Sequence, residues 1–282
     1  MLKQRLLTIA VLLPLFVWAV LALPTRHFSL LLAFIVLIGA HEWAALMRFP
    51  RRWRPVFLLA VAAAMPLGLW MVSIPELRYT LLVAAGAWWI YSLAMILRFQ
   101  NDETAPAWLL GGAGSHPLQR ALVGLIVLVP SWIAVTLMHA TPFIGGGLVL
   151  AFMLLVWGAD SGAYVAGRTF GRDKLASRVS PGKTWQGVWG ALIAGALVAV
   201  GTAIWLDRTE ILALGGLMVL GLATVLISIV GDLFESLVKR TAGVKDSGRI
   251  LPGHGGVLDR IDSVTAAAPV FALGLAAQGV ML

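Results

Sequence analysis

The stretch ILALGGLMVLGLATVLISIVGDLFESLVKR, residues 211–240, joins a long apolar run to a short polar one. Its apolar part has the length of a bilayer-spanning helix, which needs about 20 residues. The polar part places Asp232, Glu235, Ser236 and Lys239 at i, i+3, i+4 and i+7, so they share one face if the helix continues. The stretch therefore predicts a membrane helix that runs on into a polar face.

The composition of the whole chain indicates the same environment. Of its 282 residues, 60% are hydrophobic and only 12% are charged, and the mean hydropathy is +0.92. Soluble domains carry about 25% charged residues. The chain has no cysteine, which excludes disulfides, thiolate catalysis and cysteine-ligated metals. We therefore predict an all-α polytopic integral membrane protein.

Nine segments are long and apolar enough to span a bilayer. The first follows a basic start and could pass for a signal peptide, but its length and the spans that follow favour a retained helix. The predicted spans are 5–23, 28–47, 55–73, 79–97, 121–139, 142–159, 187–206, 211–231 and 264–282.

The cations between these spans predict the orientation. With the N-terminus in the cytoplasm, 18 of the 21 lysines and arginines fall on the cytoplasmic side, which is the bias expected of inner-membrane proteins. The C-terminus is then on the opposite side. The net charge of +8 favours contact with anionic membrane lipids and not with nucleic acid. We expect a multi-pass protein of the bacterial cytoplasmic (inner) membrane.

The polar segments suggest a division of the chain into two regions. Residues 1–120 hold four spans and a connector rich in Pro, Gly and Ser at 98–120. Residues 121–282 hold five spans and the two large cytoplasmic loops, 160–186 and 232–263, which are rich in acids, cations and glycines. We expect catalysis in the second region.

The segment KDSGRILPGHGGVLDRID, residues 245–262, is the most polar part of the second loop. Its glycines allow close backbone approach, and successive N–H groups can hold phosphate oxygens. Asp259 and Asp262 lie at i, i+3 in what should be a first helical turn, where two carboxylates can share a Mg²⁺ ion. Snorkelling cations and helix-capping acids are the alternative interpretation of this loop.

Four further polar residues are candidates for a function. Lys183 precedes Thr184 at a predicted helix start and is a candidate phosphate contact, although the full P-loop motif is absent. Asp160 is a candidate functional acid or the partner of a nearby arginine. His41 and Glu42 lack the second histidine of a zinc-protease helix, so a polar contact between helices is favoured there.

Carboxylates, cations and glycine turns at a membrane face suit the transfer of a phosphoryl or nucleotidyl group to a lipid headgroup. Such transfer depends mainly on positioning and on neutralisation of charge, so it needs no serine or cysteine nucleophile. The residue types alone do not identify the nucleotide.

The chain resembles the phosphatidate cytidylyltransferases, or CDP-diacylglycerol synthases. The family signature is matched by Ser236-x2-Lys239-Arg240-x4-Lys245-Asp246-Ser247-Gly248, then Pro252-Gly253-His254-Gly255-Gly256, then Asp259-Arg260-Ile261-Asp262. The segment SPGKTWQG, residues 180–187, is similar to a second family element. The resemblance implies the reaction of CTP from the cytosol with phosphatidate from the bilayer to give CDP-diacylglycerol and pyrophosphate.

The resemblance also implies roles for individual residues, a Mg²⁺ ion, a second cation and a homodimer. Asp232 and Asp259 are the first expected metal ligands, and Asp262 is the next. Phosphates are expected to contact Lys183, Lys239, Arg240, Lys245 and Arg260. The nucleotide pocket is expected to include His254, Gly255 and Gly256, and Ser236 is expected to bind substrate. Asp246 is expected at the substrate site, where it could bind the metal or orient Lys245.

Three other functions fit parts of the pattern. A CDP-alcohol phosphotransferase would need an Asp-Gly-x2-Ala-Arg motif, but Asp259 is followed by Arg260. A CTP-dependent polyprenol kinase shares the chemistry but would transfer the γ-phosphate. A membrane transporter should carry its polar residues near the middle of its spans, whereas most acids here lie at span ends on one side.

Overall fold

The computed structural model of the chain describes residues 2–102, 105, 109, 116–250 and 255–281, with side chains from residue 10 onward. Most of the predicted connector at 98–120 and the sequence Leu251-Pro252-Gly253-His254 lie outside the described residues.

The described residues form nine α-helices and one short β-hairpin. The helices are α1 Leu2–Ala22, α2 Thr25–Leu46, α3 Trp53–Met71, α4 Pro75–Asp102, α5 Pro117–His139, α6 Gly145–Phe170, α7 Trp185–Trp205, α8 Ile211–Ala242 and α9 Leu258–Ala277. The hairpin pairs β1 Lys174–Ala176 antiparallel with β2 Ser180–Thr184.

The predicted all-α membrane architecture is confirmed. Eight helices, α2 to α9, are long and apolar enough to cross a membrane, and α1 contributes a shorter apolar stretch at Ala10–Ala22. The division of the chain at residue 120 and the orientation of the termini stay predictions.

Several helices extend beyond the predicted apolar spans into the polar regions. The sixth and eighth apolar spans were predicted to end at residues 159 and 231, and the helices that contain them continue to Phe170 and Ala242. The continuation of the eighth helix was expected from its polar face. The ninth helix begins at Leu258, as expected from the helical turn of Asp259 and Asp262, although its apolar span was predicted only from residue 264. Hydropathy marks where an apolar run stops, whereas a helix continues as long as its polar side chains find partners. Much of the two predicted loops is therefore regular structure.

Aromatic packing connects the N-terminal helices to α8. The ring of Phe234 lies 6.4 Å from that of Trp43 in α2, and 6.0 and 5.6 Å from those of Trp88 and Trp89 in α4, measured between ring centroids. Phe234, Trp43 and Trp89 are almost fully buried. This aromatic cluster therefore packs α8 against α2 and α4 at the start of its polar face.

Helices α6 and α7 approach closely because glycines line their contact. A Cβ atom added to Gly190 of α7 would collide with Ala166 and with the carbonyl of Gly162, both in α6. Small residues allow membrane helices to pack backbone to backbone. This contact fixes where the end of α6 and the start of α7 lie.

The hairpin between α6 and α7 is held at two points. The Arg178 guanidinium donates hydrogen bonds to the carbonyls of Gln100 and Asn101 at the end of α4, at 2.9 and 2.8 Å. Arg240 Nε of α8 donates to the carbonyl of Val179 at 3.2 Å. The hairpin is thereby placed beside the polar face of α8.

The packing of α6 on α7 predicts a position-dependent effect of added methyl groups. Gly190→Ala should lower the free energy of unfolding by about 1–3 kcal/mol, because the added Cβ must push the helices apart. The matched control is Gly201→Ala in the same helix, where no atom lies within 4 Å of the added Cβ. Thermal unfolding in detergent micelles measures both, and equal stability of the two variants would refute the close contact.

Candidate functional site

The site begins with an ion pair between two distant parts of the chain. Lys183 Nζ, at the end of the hairpin, lies 2.7 Å from Asp232 Oδ2 in α8. Both side chains are partly exposed, at 24% and 33%. The predicted phosphate contact and the predicted metal ligand are therefore neighbours, and the two signature segments meet at one place.

Local hydrogen bonds fix the segment that carries Lys183. Thr184 is the N-cap of α7, and its hydroxyl accepts a hydrogen bond from the N–H of Gly187 at 3.1 Å. Gln186 Oε1 accepts from the N–H groups of Arg172 and Asp173, at 3.1 and 3.2 Å. The helix start predicted at Lys183-Thr184 is confirmed, and these bonds orient the hairpin toward α8.

The polar face predicted on α8 is also confirmed. The Ser236 hydroxyl donates to Asp232 Oδ1 at 3.4 Å, and Lys239 Nζ lies 2.5 Å from Glu235 Oε2. In each pair, the two residues lie one helical turn apart. The helix places all four side chains on the side that faces the hairpin and the start of α9.

Lys239 also connects α8 to α9. Its ammonium lies 2.7 Å from Asp259 Oδ1 in addition to its contact with Glu235. All three side chains are nearly buried, with exposed fractions of 13% for Lys239, 5% for Glu235 and 7% for Asp259. A buried ammonium between two carboxylates holds the two helices in one fixed relation, because separating the charges would leave each of them desolvated and unpaired.

The Asp259 carboxylate has several hydrogen-bond partners. Besides Lys239, it accepts hydrogen bonds from the N–H groups of Ser247, at 3.0 Å, and Gly256, at 2.8 Å. Its metal role stays a prediction, since three donors leave part of the acceptor capacity of a carboxylate unused. Asp259 here fastens the turn at residue 247 to the start of α9.

Asp232, Glu235 and Asp262 form a group of acids beside Asp259. Asp262 is within electrostatic range of Asp232 and Glu235. Gly231 allows this approach, since its backbone packs directly against the carbonyl of Asp262. Glu235 lies against the Asp262 carboxyl group, and its buried Oε1 accepts no hydrogen bond from an N–H or hydroxyl group of the described residues.

These acids suit a cation that is completed by other ligands. In the part of the chain that the structure describes, no three His, Asp or Glu side chains form a metal site by themselves. Mg²⁺ usually takes one or two carboxylates, with substrate phosphates and water as its other ligands. Asp232 and Asp262 fit that requirement, and the carboxylate of Glu235 adds negative potential beside them.

Asp160 directly follows the predicted span 142–159, but it lies inside α6 and not at its end. The helix continues for ten residues beyond it, to Phe170. It faces Asp232, Lys183 and Arg260 within electrostatic range, so it borders the same site. Its position on a continuous helix follows from the close packing of α6 on α7.

The remaining predicted residues lie around this centre. Lys245, Asp246 and Arg260 are exposed, and Arg240 holds the hairpin through Val179. Gly255 has a positive φ of 83°, which side chains other than glycine rarely adopt, and it turns the chain into α9. His254 lies outside the described residues.

Sequence reasoning missed the part that Glu42 plays at this end of the bundle. Its carboxylate is buried and accepts hydrogen bonds from the N–H groups of Val257 and Leu258. The expected polar contact between helices is present, but its partner is the start of α9. The only signal in the sequence was an acid within an apolar span.

Comparison with known proteins gives a consistent result. The model of the cytidylyltransferase family matches residues 3–277. A phosphatidate cytidylyltransferase of Pseudomonas aeruginosa is 43% identical over 99% of this chain and 98% of its own length. One of Haemophilus influenzae is 38% identical over 96% and 97%, and one of Mycobacterium bovis is 33% identical over 89% and 80%. The resemblance seen in the signature segments is confirmed.

The buried ion-pair triad predicts a large loss of stability when its cation is removed. Lys239→Ala should lower the free energy of unfolding by about 3–5 kcal/mol, because two buried carboxylates lose their counter-ion. The exposed Lys245→Ala serves as the control and should change it by less than about 0.5 kcal/mol. Thermal unfolding in detergent compares the two, and similar stabilities would contradict the structural role of Lys239.

Proposed function

Since the chain belongs to the cytidylyltransferase family, we propose that it transfers the cytidylyl group of CTP to phosphatidate. The products are CDP-diacylglycerol, a precursor of phospholipids, and pyrophosphate. The observation that carries this proposal is the Lys183–Asp232 ion pair at 2.7 Å. It unites both signature segments in one polar site at the end of an apolar helix bundle.

The position of the site suits one lipid and one water-soluble substrate. Its charged residues lie at the ends of apolar helices or in the adjoining turns, with Lys245 and Arg260 exposed. Phosphatidate can reach the site from the bilayer while CTP enters from the cytosol. We place the protein in the bacterial inner membrane with this site on the cytoplasmic face, and we infer a homodimer from the family resemblance.

The cations of the site would offset the repulsion between the two substrates. Both substrates are anionic and repel one another, so their approach needs positive charge fixed nearby. Lys183 and Lys239 are held within reach of the acids by ion pairs, and Lys245, Arg240 and Arg260 surround them. Charge-assisted hydrogen bonds from these groups to phosphate oxygens would bind and align both substrates.

A Mg²⁺ ion would be held by Asp232 and Asp262, next to Glu235. When bound, it would neutralise charge on the phosphates of the nucleotide. The donor set supports this assignment because the buried Oε1 of Glu235 accepts no hydrogen bond from an N–H or hydroxyl group of the described residues. A second cation, which the resemblance implies, would have to share the same small group of acids.

The chemical step needs little from the protein beyond alignment. An oxygen of the phosphatidate phosphate attacks the α-phosphorus of CTP, the bond to the β-phosphate bridge breaks, and pyrophosphate leaves with the electron pair. The attacking phosphate monoester is already ionised at neutral pH, since its second pKa is about 6. No side chain has to act as a general base.

A product assay tests the proposal. Purified protein in mixed micelles with phosphatidate, Mg²⁺ and each of the four ribonucleoside triphosphates should form CDP-diacylglycerol and pyrophosphate with CTP only. EDTA should abolish turnover. Diacylglycerol, which lacks the attacking phosphate, should give no product.

Two other outcomes would contradict the proposal. Release of CDP together with a phosphorylated lipid would indicate a CTP-dependent lipid kinase. Movement of a solute across liposomes without any liponucleotide product would indicate a transporter. As a control for the preparation, Asp232→Asn should lose activity by at least about 100-fold, whereas the exposed Glu76→Gln should retain it.

A further inference from the structure

Glu42 is a buried acid in an unfavourable position on its own helix. It lies in the last turn of α2 and is only 3% exposed. A buried carboxylate requires hydrogen bonds or a counter-charge, and the C-terminal end of a helix disfavours negative charge. Its retention in the apolar interior therefore requires compensation from another element.

The compensation comes from the N-terminus of α9. The N–H groups of Val257 and Leu258 donate to the Glu42 carboxylate at 3.0 and 2.7 Å, and the Ser247 hydroxyl donates to it at 3.2 Å. The first N–H groups of a helix have no partner within the helix, and they carry its positive end. Glu42 thus supplies an acceptor for α9 from more than 200 residues away in the sequence.

Two glycines of the signature make room for this carboxylate. A Cβ added to Gly256 would lie 2.7 Å from both carboxylate oxygens of Glu42, and one added to Gly248 would also collide with them. Gly256 was expected to bring the backbone close to a substrate, and Gly248 to form a turn. In the structure, they bring it close to Glu42.

The contact is linked to the proposed site by two further bonds. The Ser247 hydroxyl, which donates to Glu42, accepts a hydrogen bond from the N–H of Asp259 at 3.3 Å. The N–H of Ser247 donates to the Asp259 carboxylate, which holds Lys239. A short chain of hydrogen bonds therefore runs from Glu42 to the ammonium of Lys239.

We propose that Glu42 is a positioning residue that fixes the turn at residue 247 and the start of α9, and through them Asp259 and Lys239. Its importance for catalysis rests on the proposed cytidylyl transfer, but the contact itself does not. Glu42 is buried, and its carboxylate contacts protein groups. It replaces the external anion that the start of α9 would otherwise attract.

Hydrogen exchange tests the contact without reference to activity. Glu42→Gln keeps the size of the side chain but removes its charge and turns an amide group toward the N–H donors. We expect the amides of residues 256–260 to exchange at least about tenfold faster, as unsatisfied buried donors do. Exchange in α5 and α6 should stay unchanged, and the exposed Glu76→Gln should alter neither region.

Steady-state kinetics test the positioning role. In Glu42→Gln, kcat should fall about 10- to 100-fold and the KM for CTP should rise about 3- to 10-fold, because Asp259 and Lys239 lose their fixed geometry. Glu42→Asp keeps the charge and should recover most of this loss. If Glu42→Gln does not fold, Ser247→Ala removes the linking hydroxyl and should raise the KM for CTP about threefold.

The outcomes separate this inference from the proposed function. Unchanged exchange at 256–260 and unchanged kinetics in Glu42→Gln would overturn it. Faster exchange throughout the bundle, with lower kcat and an unchanged KM, would also overturn it, because that is the signature of a partly unfolded protein. If the wild-type protein makes no CDP-diacylglycerol, the proposed function fails, and exchange alone decides whether Glu42 fixes the start of α9.

Discussion

The buried ammonium of Lys239, held between the carboxylates of Glu235 and Asp259 at 2.5 and 2.7 Å, is the constraint on which the rest of the site depends. Charges that are nearly removed from water cannot separate without a large loss of free energy. The pair therefore fixes the angle and the register between α8 and α9. Together with the close approach at Gly231, this relation keeps Asp262 within electrostatic range of Asp232.

The helices could be predicted from the sequence because each needs a run of apolar residues with the length of a bilayer span. The face formed by Asp232, Glu235, Ser236 and Lys239 could be predicted too, since helical spacing is a local property. The hairpin that carries Lys183 could not, because its position depends on Arg178 and its distant partners in α4. Such contacts leave no periodic pattern in the sequence.

The functions of the glycines and of Asp259 illustrate a different limit. The sequence predicts that N–H groups of the glycine-rich segment before α9 can hold the oxygens of an anion. The sequence does not show whether this anion is a substrate phosphate or a carboxylate of the protein. In the structure, the protein's own carboxylates accept these N–H groups: Asp259 binds that of Gly256, and Glu42 binds those of Val257 and Leu258. We therefore propose that the side-chain cations bind the substrate phosphates.

We propose that the segments around residues 183 and 232 form one catalytic unit. A double-mutant cycle on kcat/KM for CTP, with Lys183→Met and Asp232→Asn, tests it most directly. Substitutions of residues that act as a unit have non-additive effects. The kcat/KM of the double variant should therefore be no more than about threefold below that of the less active single variant. If the two losses multiply instead, the segments act independently and the account is contradicted.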